Sequence, residues 1–351
     1  MSEPVIRTEG LVKEFPVASK TLGEPRKVLH AVTNVSLSVP KGGIFGIVGE
    51  SGCGKSTLGR CLLRLETITK GSVFFQGRDI TNLSGKDLLP LRKNMQMIFQ
   101  NPYGSFDPKQ KIGAALTEVA TVHKMDAAQA QEKIHNLLEQ INLPQDALNR
   151  IPSEMSGGQL QRLAIARALL LDPAFIVADE PVSALDVSVQ AQILNLLMDL
   201  RETFSLTMLF ISHEMTVVRH LCDQVAVMYL GTVVEQADSE ELFRNLLHPY
   251  TQSLMSAIPT LDPDHKKQRI VLQGDIPSAI DLPKGCPFAD RCPQCQTQCK
   301  ESRPPPAGRG RRASGGLPSG VSFAWLHARS YRAVPSVSCW RPDEIEDPKI
   351  F

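Results

Sequence analysis

The chain predicts an α/β fold built on a parallel sheet, and three observations carry that expectation. Four short, wholly apolar runs, 44–48, 175–178, 208–211 and 225–228, have the length and composition of strands buried on both faces. The last three are separated by helical patterns over 187–203 and 214–222, and strands that alternate with helices pack as parallel sheets. The first third has another texture. Residues 35–39 (Val-Ser-Leu-Ser-Val) alternate apolar and polar, and Val73-Phe74-Phe75 lies between Gly71 and Gly77, which predicts an antiparallel β subdomain.

From about 102 to 165 the periodicity turns helical, with Ile134, Leu137, Leu138 and Ile141 on one face, so a helical insert is expected. Past about 250 the chain is rich in proline and cysteine, and no acidic residue falls between Ser302 and Pro342. The expected division is a core over 1–250 and a Cys-rich C-terminal extension over 251–351, partly irregular. No internal repeat is present, so a single core unit is expected. Lys and Arg number 38 against 37 Asp and Glu, and a net charge of +1 points to no nucleic-acid partner. No stretch approaches the roughly 18 apolar residues of a spanning helix. The start, Met1-Ser2-Glu3-Pro4, lacks the pattern of a secretion signal, so a soluble chain retained in the cytoplasm is expected.

The segment Gly49-Glu50-Ser51-Gly52-Cys53-Gly54-Lys55-Ser56-Thr57 follows the apolar run 44–48 and opens a predicted helix over 57–65. Strand, G-x-x-x-x-G-K-[ST] and helix are the context of a phosphate-binding P-loop. Glycines let the backbone curl so that successive N–H groups face a β-phosphate, and the helix start adds its positive end. Lys55 brings charge to the β- and γ-phosphates, and the Ser56 hydroxyl suits one corner of a magnesium shell. A second element is the run Phe175–Ala178 ending in Asp179-Glu180. Alone this suits a solvated turn. Beside a P-loop it suits two jobs, because adjacent strand residues point to opposite faces. Asp179 can hold magnesium through water, and Glu180 can orient and deprotonate an attacking water.

Met155-Ser156-Gly157-Gly158-Gln159-Leu160-Gln161-Arg162 begins a predicted helix with a capping serine. Lying between the P-loop and Asp179-Glu180, Ser156-Gly157-Gly158-Gln159 resembles the signature motif of ABC ATPases. Gln100 in Ile-Phe-Gln-Asn-Pro, Ser183-Ala184-Leu185-Asp186, and Ser212-His213-Glu214 resemble, in the same order, the family's Q-loop, D-loop and switch histidine. The likeness covers about residues 5–250. It implies a P-loop NTPase core of the ABC type, in which each ATP lies between one subunit's P-loop and the other's signature segment. It further implies that His213 holds the γ-phosphate and water in register, and that Gln100 links magnesium-bound water to the segment facing a membrane partner. Asp186 joins the nucleotide site through the D-loop, and Phe15, closing Leu11-Val12-Lys13-Glu14-Phe15, resembles the aromatic that stacks on adenine. A histidine at a strand end and a Phe in a strand also suit plain packing.

Asn101-Pro102-Tyr103-Gly104-Ser105-Phe106-Asp107-Pro108, His248-Pro249-Tyr250-Thr251-Gln252-Ser253-Leu254 and Gly285-Cys286-Pro287-Phe288-Ala289-Asp290-Arg291-Cys292-Pro293 resemble the oligopeptide, dipeptide and nickel importer group. That likeness implies peptide cargo, with nickel or another small solute as the alternative. It also implies a second related ATPase subunit, two membrane permease subunits, an extracytoplasmic substrate-binding protein, and a peripheral place on the cytoplasmic face of the bacterial inner membrane. In this group Cys286, Cys292, Cys299 and Cys339 would hold a [4Fe-4S] cluster. Zinc on Cys286, Cys292, Cys295 and Cys299 is the rival, and plain thiols a third reading. The basic stretch from Arg303 to Arg312, which precedes Cys339, departs from the group's pattern. A soluble ABC ATPase acting on DNA or ribosomes is disfavoured by the single unit and the balanced charge. A non-hydrolysing subunit is disfavoured by the intact Glu180, His213 and signature.

Overall fold

The structure, a computed structural model, describes residues 3–17, 27–258 and 269–303. In chain order the first strands are β1 (Ile6–Val17), β2 (Lys27–Val35), β3 (Ser38–Val39) and β4 (Ile44–Val48). Helix α1 (Lys55–Leu62), β5 (Lys70–Phe75), β6 (Arg78–Asp79), α2 (Gly85–Arg92) and β7 (Met95–Ile98) follow. The helical insert holds α3 (Ile112–Val122), α4 (Ala127–Gln140) and the start of α5 (Gly157–Leu169). Then come β8 (Phe175–Asp179), α6 (Val187–Phe204), β9 (Thr207–Ser212), α7 (Met215–Leu221), β10 (Gln224–Tyr229) and β11 (Thr232–Asp238). Helices α8 (Ser239–Arg244), α9 (Pro249–Ser256) and α10 (Thr297–Glu301) follow.

Six strands form the main sheet in the order β11-β10-β4-β9-β8-β7. All its pairs are parallel except β10 with β11. Every residue of β4, β8 and β9 is buried, as strands covered on both faces require. The order places β4 between β10 and β9, so the chain leaves the sheet's middle at the P-loop and returns on the β8 side. Such a reversal opens a crevice at the carboxyl ends of the strands, where α/β sheets bind ligands.

A second sheet runs β2-β1-β5-β6 with β3 on β1, and all its pairs are antiparallel, as the alternating first third predicts. Residues 35–39 are not one strand, however. The chain leaves β2 at Val35 and pairs again with β1 only at Ser38–Val39. Thr8 Oγ1 bridges the gap, donating to the Val35 carbonyl and accepting the Leu37 N–H. In the insert, Ile134, Leu137, Leu138 and Ile141 are buried as the helical face required. Helix α4 starts at Asp126, whose carboxylate accepts the Ala128 and Gln129 N–H groups. The segment 286–299 adds Cys286, Phe288, Ala289 and Cys299 to the same apolar core as β10 and the insert. Among the described residues, no helix is long and apolar enough to cross a membrane.

Candidate functional site: a P-loop facing two carboxylates

Helix α1 begins without a side-chain cap: its N-cap is Gly54, at φ 101°. The first-turn N–H groups are therefore left for an external acceptor at the positive end of the helix. Glycine is required here on two counts, since φ is left-handed and an added Cβ would stand 2.0 Å from the Ala31 carbonyl oxygen. At Gly49 the Cβ would lie 2.1 Å from the Met228 carbonyl oxygen. From behind, the loop is tied down by Gly231 N–H on the Cys53 carbonyl (2.9 Å) and by Glu50 N–H on the Tyr250 hydroxyl (2.8 Å). Ser51 and Gly52 are exposed at its mouth, and Thr57 is half-buried in α1. Burial pushes the Cys53 thiol up, so it serves as a neutral packing group.

Lys55 is buried, with its ammonium donating to the Gly49 and Glu50 carbonyls (2.8 and 3.0 Å). Its Nζ lies 3.9 Å from the Glu180 carboxylate. A buried cation held by loop carbonyls, the Cys53 sulfur and one carboxylate can exchange them for phosphate oxygens. The Ser56 hydroxyl donates to Asp179 Oδ1 at 2.7 Å. Asp179 is 3% exposed, and burial raises its carboxyl above the ordinary range against the Ser56 hydrogen bond. A hydroxyl beside a buried carboxylate is a pair of hard oxygens, and the carboxylate's disfavoured charge is what a divalent cation would relieve. The residues present therefore fit magnesium.

Glu180 faces different partners from Asp179 for a reason other than strand alternation. Strand β8 ends at Asp179, and Glu180 sits at φ 46°, its N–H on the Ile211 carbonyl. A non-glycine residue held left-handed stores strain, a feature found at active sites. The turn swings the carboxylate toward three groups from three different elements. Gln100 Nε2 donates to Oε2 at 3.0 Å, His213 Nδ1 lies 3.4 Å from the same oxygen, and Lys55 faces Oε1. Gln100 also reaches the Ser183 hydroxyl at 3.3 Å, and that hydroxyl donates to the Glu180 carbonyl. Gln100 thus stands at Glu180 and Ser183. His213 is half-exposed, with Nε2 3.9 Å from Glu214.

The signature segment forms a complete capping box. Ser156 Oγ accepts the Gln159 N–H and Gln159 Oε1 accepts the Ser156 N–H. A Cβ on Gly158 would meet Val189 at 2.6 Å, so the start of α5 is pressed against α6. Asp186 occupies the N-cap of α6 without a side-chain capping bond, and it is exposed together with Ala184 and Val187, the last at 82%. Phe15 stands on β1 opposite Leu29, half-buried, with Lys13 Nζ 4.4 Å from its ring centre.

The cysteines of the extension do not make a metal site among the described residues: no group of three His, Cys, Asp or Glu side chains is placed to hold an ion. The zinc set of Cys286, Cys292, Cys295 and Cys299 is thereby corrected. Cys286 and Cys299 are buried core members, joined by a 2.7 Å backbone hydrogen bond, while Cys292 and Cys295 are half-buried at the core's edge. Cys339, the fourth cluster ligand expected with Cys286, Cys292 and Cys299, lies outside the described residues. Among the described residues, Cys286, Cys292 and Cys299 form no group placed to hold a metal.

Sequence reasoning missed four contributors. Ser183 lay in a recognised motif but had no assigned role. Tyr229, Tyr250 and Arg291 touch Glu50 or one another from up to 241 positions away, and no local pattern signals that.

An uncapped glycine-rich helix start facing a serine–aspartate pair defines a P-loop NTPase. The chain belongs to the ABC transporter family, among its ATP-binding subunits. The family pattern described as "ABC transporter" matches residues 32–183, and "Oligopeptide/dipeptide transporter, C-terminal region" matches residues 234–299. A putative peptide import ATP-binding protein of Brucella ovis is 47% identical over 302 residues, 86% of this chain and 93% of the relative. The dipeptide transport ATP-binding protein DppF of Haemophilus influenzae is 45% identical over 302 residues, 86% and 92% of the two chains. Among solved structures, the dimeric post-hydrolysis state of the ATP-binding cassette MJ0796 bound to ADP and Pi aligns with a TM-score of 0.58 at 26% identity. It covers 67% of this chain and 98% of that one.

Proposed function

We propose that this chain binds and hydrolyses ATP as one half of a paired ATPase that energises import of di- or oligopeptides across a bacterial inner membrane. The observation that carries the catalytic part is the convergence of Gln100, His213 and Lys55 on the Glu180 carboxylate. A carboxylate so held can orient a water beside the P-loop and take its proton, while His213 and Gln100 fix that water and sense whether the γ-phosphate is present. Magnesium, when bound, supplies charge that neutralises the phosphate oxygens, and Ser56 and Asp179 are the residues that would hold it.

The pairing is supported by the dimeric state of the similar cassette and by the bare stretch of Ala184, Asp186 and Val187 beside the signature helix. In this reading the N–H groups of Ser156-Gly157-Gly158-Gln159 meet the γ-phosphate of the nucleotide on the opposite subunit, and hydrolysis removes the anion that joins the halves. Exposed Phe99 (38%) and Tyr103 (50%) flank Gln100, and they suit the docking of a membrane subunit that feels the nucleotide state. The peptide cargo, the second ATPase subunit, the two permeases, the external binding protein and the cytoplasmic face are inferred from the named relatives and the C-terminal match. Phe15 is proposed to stack on adenine. No step is assigned to a metal at the cysteines.

Glu180→Gln tests the reading. Turnover should fall on the order of 10²- to 10⁴-fold while ATP stays bound. Hydrolysis at the wild-type rate in the assembled transporter would remove Glu180 as the base. Uptake of a labelled dipeptide by cells carrying the intact system, and its loss with this variant, checks the cargo.

A further inference from the structure

Glu50 places a carboxylate inside the phosphate-binding loop, where a negative charge opposes the ligand. The structure binds that carboxylate from an unexpected quarter. Arg291, in the Cys-rich segment, forms a two-pronged pair with it, Nη1 to Oε2 at 2.9 Å and Nη2 to Oε1 at 3.3 Å. The Arg291 side chain is 9% exposed, and Glu50 is 27% exposed. Burial works against the guanidinium's charge, but its hydrogen bonds to Glu50 and Tyr229 outweigh that and raise its pKa. The peptide N–H of the same Glu50 donates to the Tyr250 hydroxyl at 2.8 Å. One P-loop residue is thus held at both main chain and side chain by residues beyond 248.

These two holders are themselves fixed. Tyr229, Tyr250 and Phe288 meet edge to face or tilted, with ring centres 4.7, 5.3 and 5.5 Å apart, and His248 packs on Phe288 at 5.6 Å. Phe288 is fully buried three residues before Arg291, so the turn carrying the guanidinium cannot shift without opening the aromatic cluster. A planar fork locked by packing gives charge and direction together.

We propose that Arg291 and Tyr250 are positioning residues of the nucleotide site: they draw the Glu50 carboxylate to the rear of the P-loop and fix the loop's first turn for phosphate. This rests on ATP occupying the P-loop and adds that the C-terminal extension is part of that site. Without Arg291, the unpaired carboxylate would lie next to the phosphates and weaken binding by repulsion. If the residue served stability alone, removing the Glu50 charge as well would not help.

The full chain carrying Arg291→Met, Glu50→Gln, both, or Tyr250→Phe, titrated with a fluorescent ATP analogue and magnesium, tests this against thermal midpoints taken without nucleotide. Arg291→Met should weaken binding by roughly tenfold, as loss of a charge-assisted pair implies. The double variant should return to within about threefold of wild type even where its thermal midpoint stays low. Tyr250→Phe keeps the ring and should weaken binding by roughly threefold or more. Unchanged affinity in Arg291→Met, or a loss that Glu50→Gln does not repair, overturns the proposal. If Arg291→Met does not fold, Tyr250→Phe decides, and wild-type affinity there overturns it. A wild-type chain that fails to bind ATP would remove the P-loop reading itself, a distinct result.

Discussion

At Gly54 the need for glycine is doubled, because the backbone is left-handed and the Ala31 carbonyl fills the place of a side chain. Gly54→Ala should therefore cost more than the usual ~1 kcal/mol of a positive-φ alanine, since the loop must also move off Ala31. We expect a lowered urea midpoint together with loss of ATP binding. A variant that keeps both would show that the loop relaxes freely. Glu180 presents the converse case, a side chain retained at φ 46° where glycine would sit without strain, because the carboxylate is what Gln100 and His213 engage. The adjacent Asp179 and Glu180 divide their partners between them, Ser56 for the first and Gln100, His213 and Lys55 for the second. Strand alternation alone does not give that division, which arises because the strand stops between them.

Among the elements, α9 shows how a short helix becomes dependent on pH. His248 caps it, with neutral Nδ1 accepting the Tyr250 N–H at 3.1 Å, and burial lowers its pKa to about 4. The unfolded chain takes up this proton near pH 6.5, while the folded chain resists until about pH 4. Stability is thus complete above about 6.5 and is lost as pH falls toward 4, by up to roughly 3 kcal/mol. Glu235, which accepts the Leu247 and His248 N–H groups, has its carboxyl raised by burial and acts in the opposite direction. His248 is therefore read as the difference between wild type and His248→Asn, which keeps a capping oxygen. Urea midpoints at pH 7 and pH 5 should fall less in the variant, and equal falls would dismiss His248. The four apolar runs and the strands they predicted agree because burial on both faces demands continuous apolar sequence. Strands β7 and β11 and helix α2 were not predicted. In β7 the inner pair is only half-buried, α2 carries Pro90, and β11 mixes charged and apolar residues.

Over the whole molecule, the groups of the site approach from β4, β8, β9 and the Gln100 loop, yet the signature helix contacts α6 rather than completing that site. The proposed pairing predicts ATP-dependent association. The Glu180→Gln chain, mixed with the second ATPase subunit proposed for it, should gain mass by light scattering in ATP and magnesium but not in ADP. Val187→Arg, on the bare face, should weaken that gain by tenfold or so, since burying an unpaired charge costs more than 1 kcal/mol. Equal association in ADP, or indifference to Val187, would place the interface elsewhere. By itself the sequence determined the P-loop, the paired carboxylates and the signature, because each is a contiguous run whose chemistry depends on local backbone and capping. Only the tertiary structure decided that Gln100 meets Glu180 across 80 positions and that Arg291 reaches Glu50 across 241. It also decided that Cys286 and Cys299 of the extension pack into the core. Such encounters are set by how layers stack and which side chains fill the space between them, and no spacing along the chain encodes that.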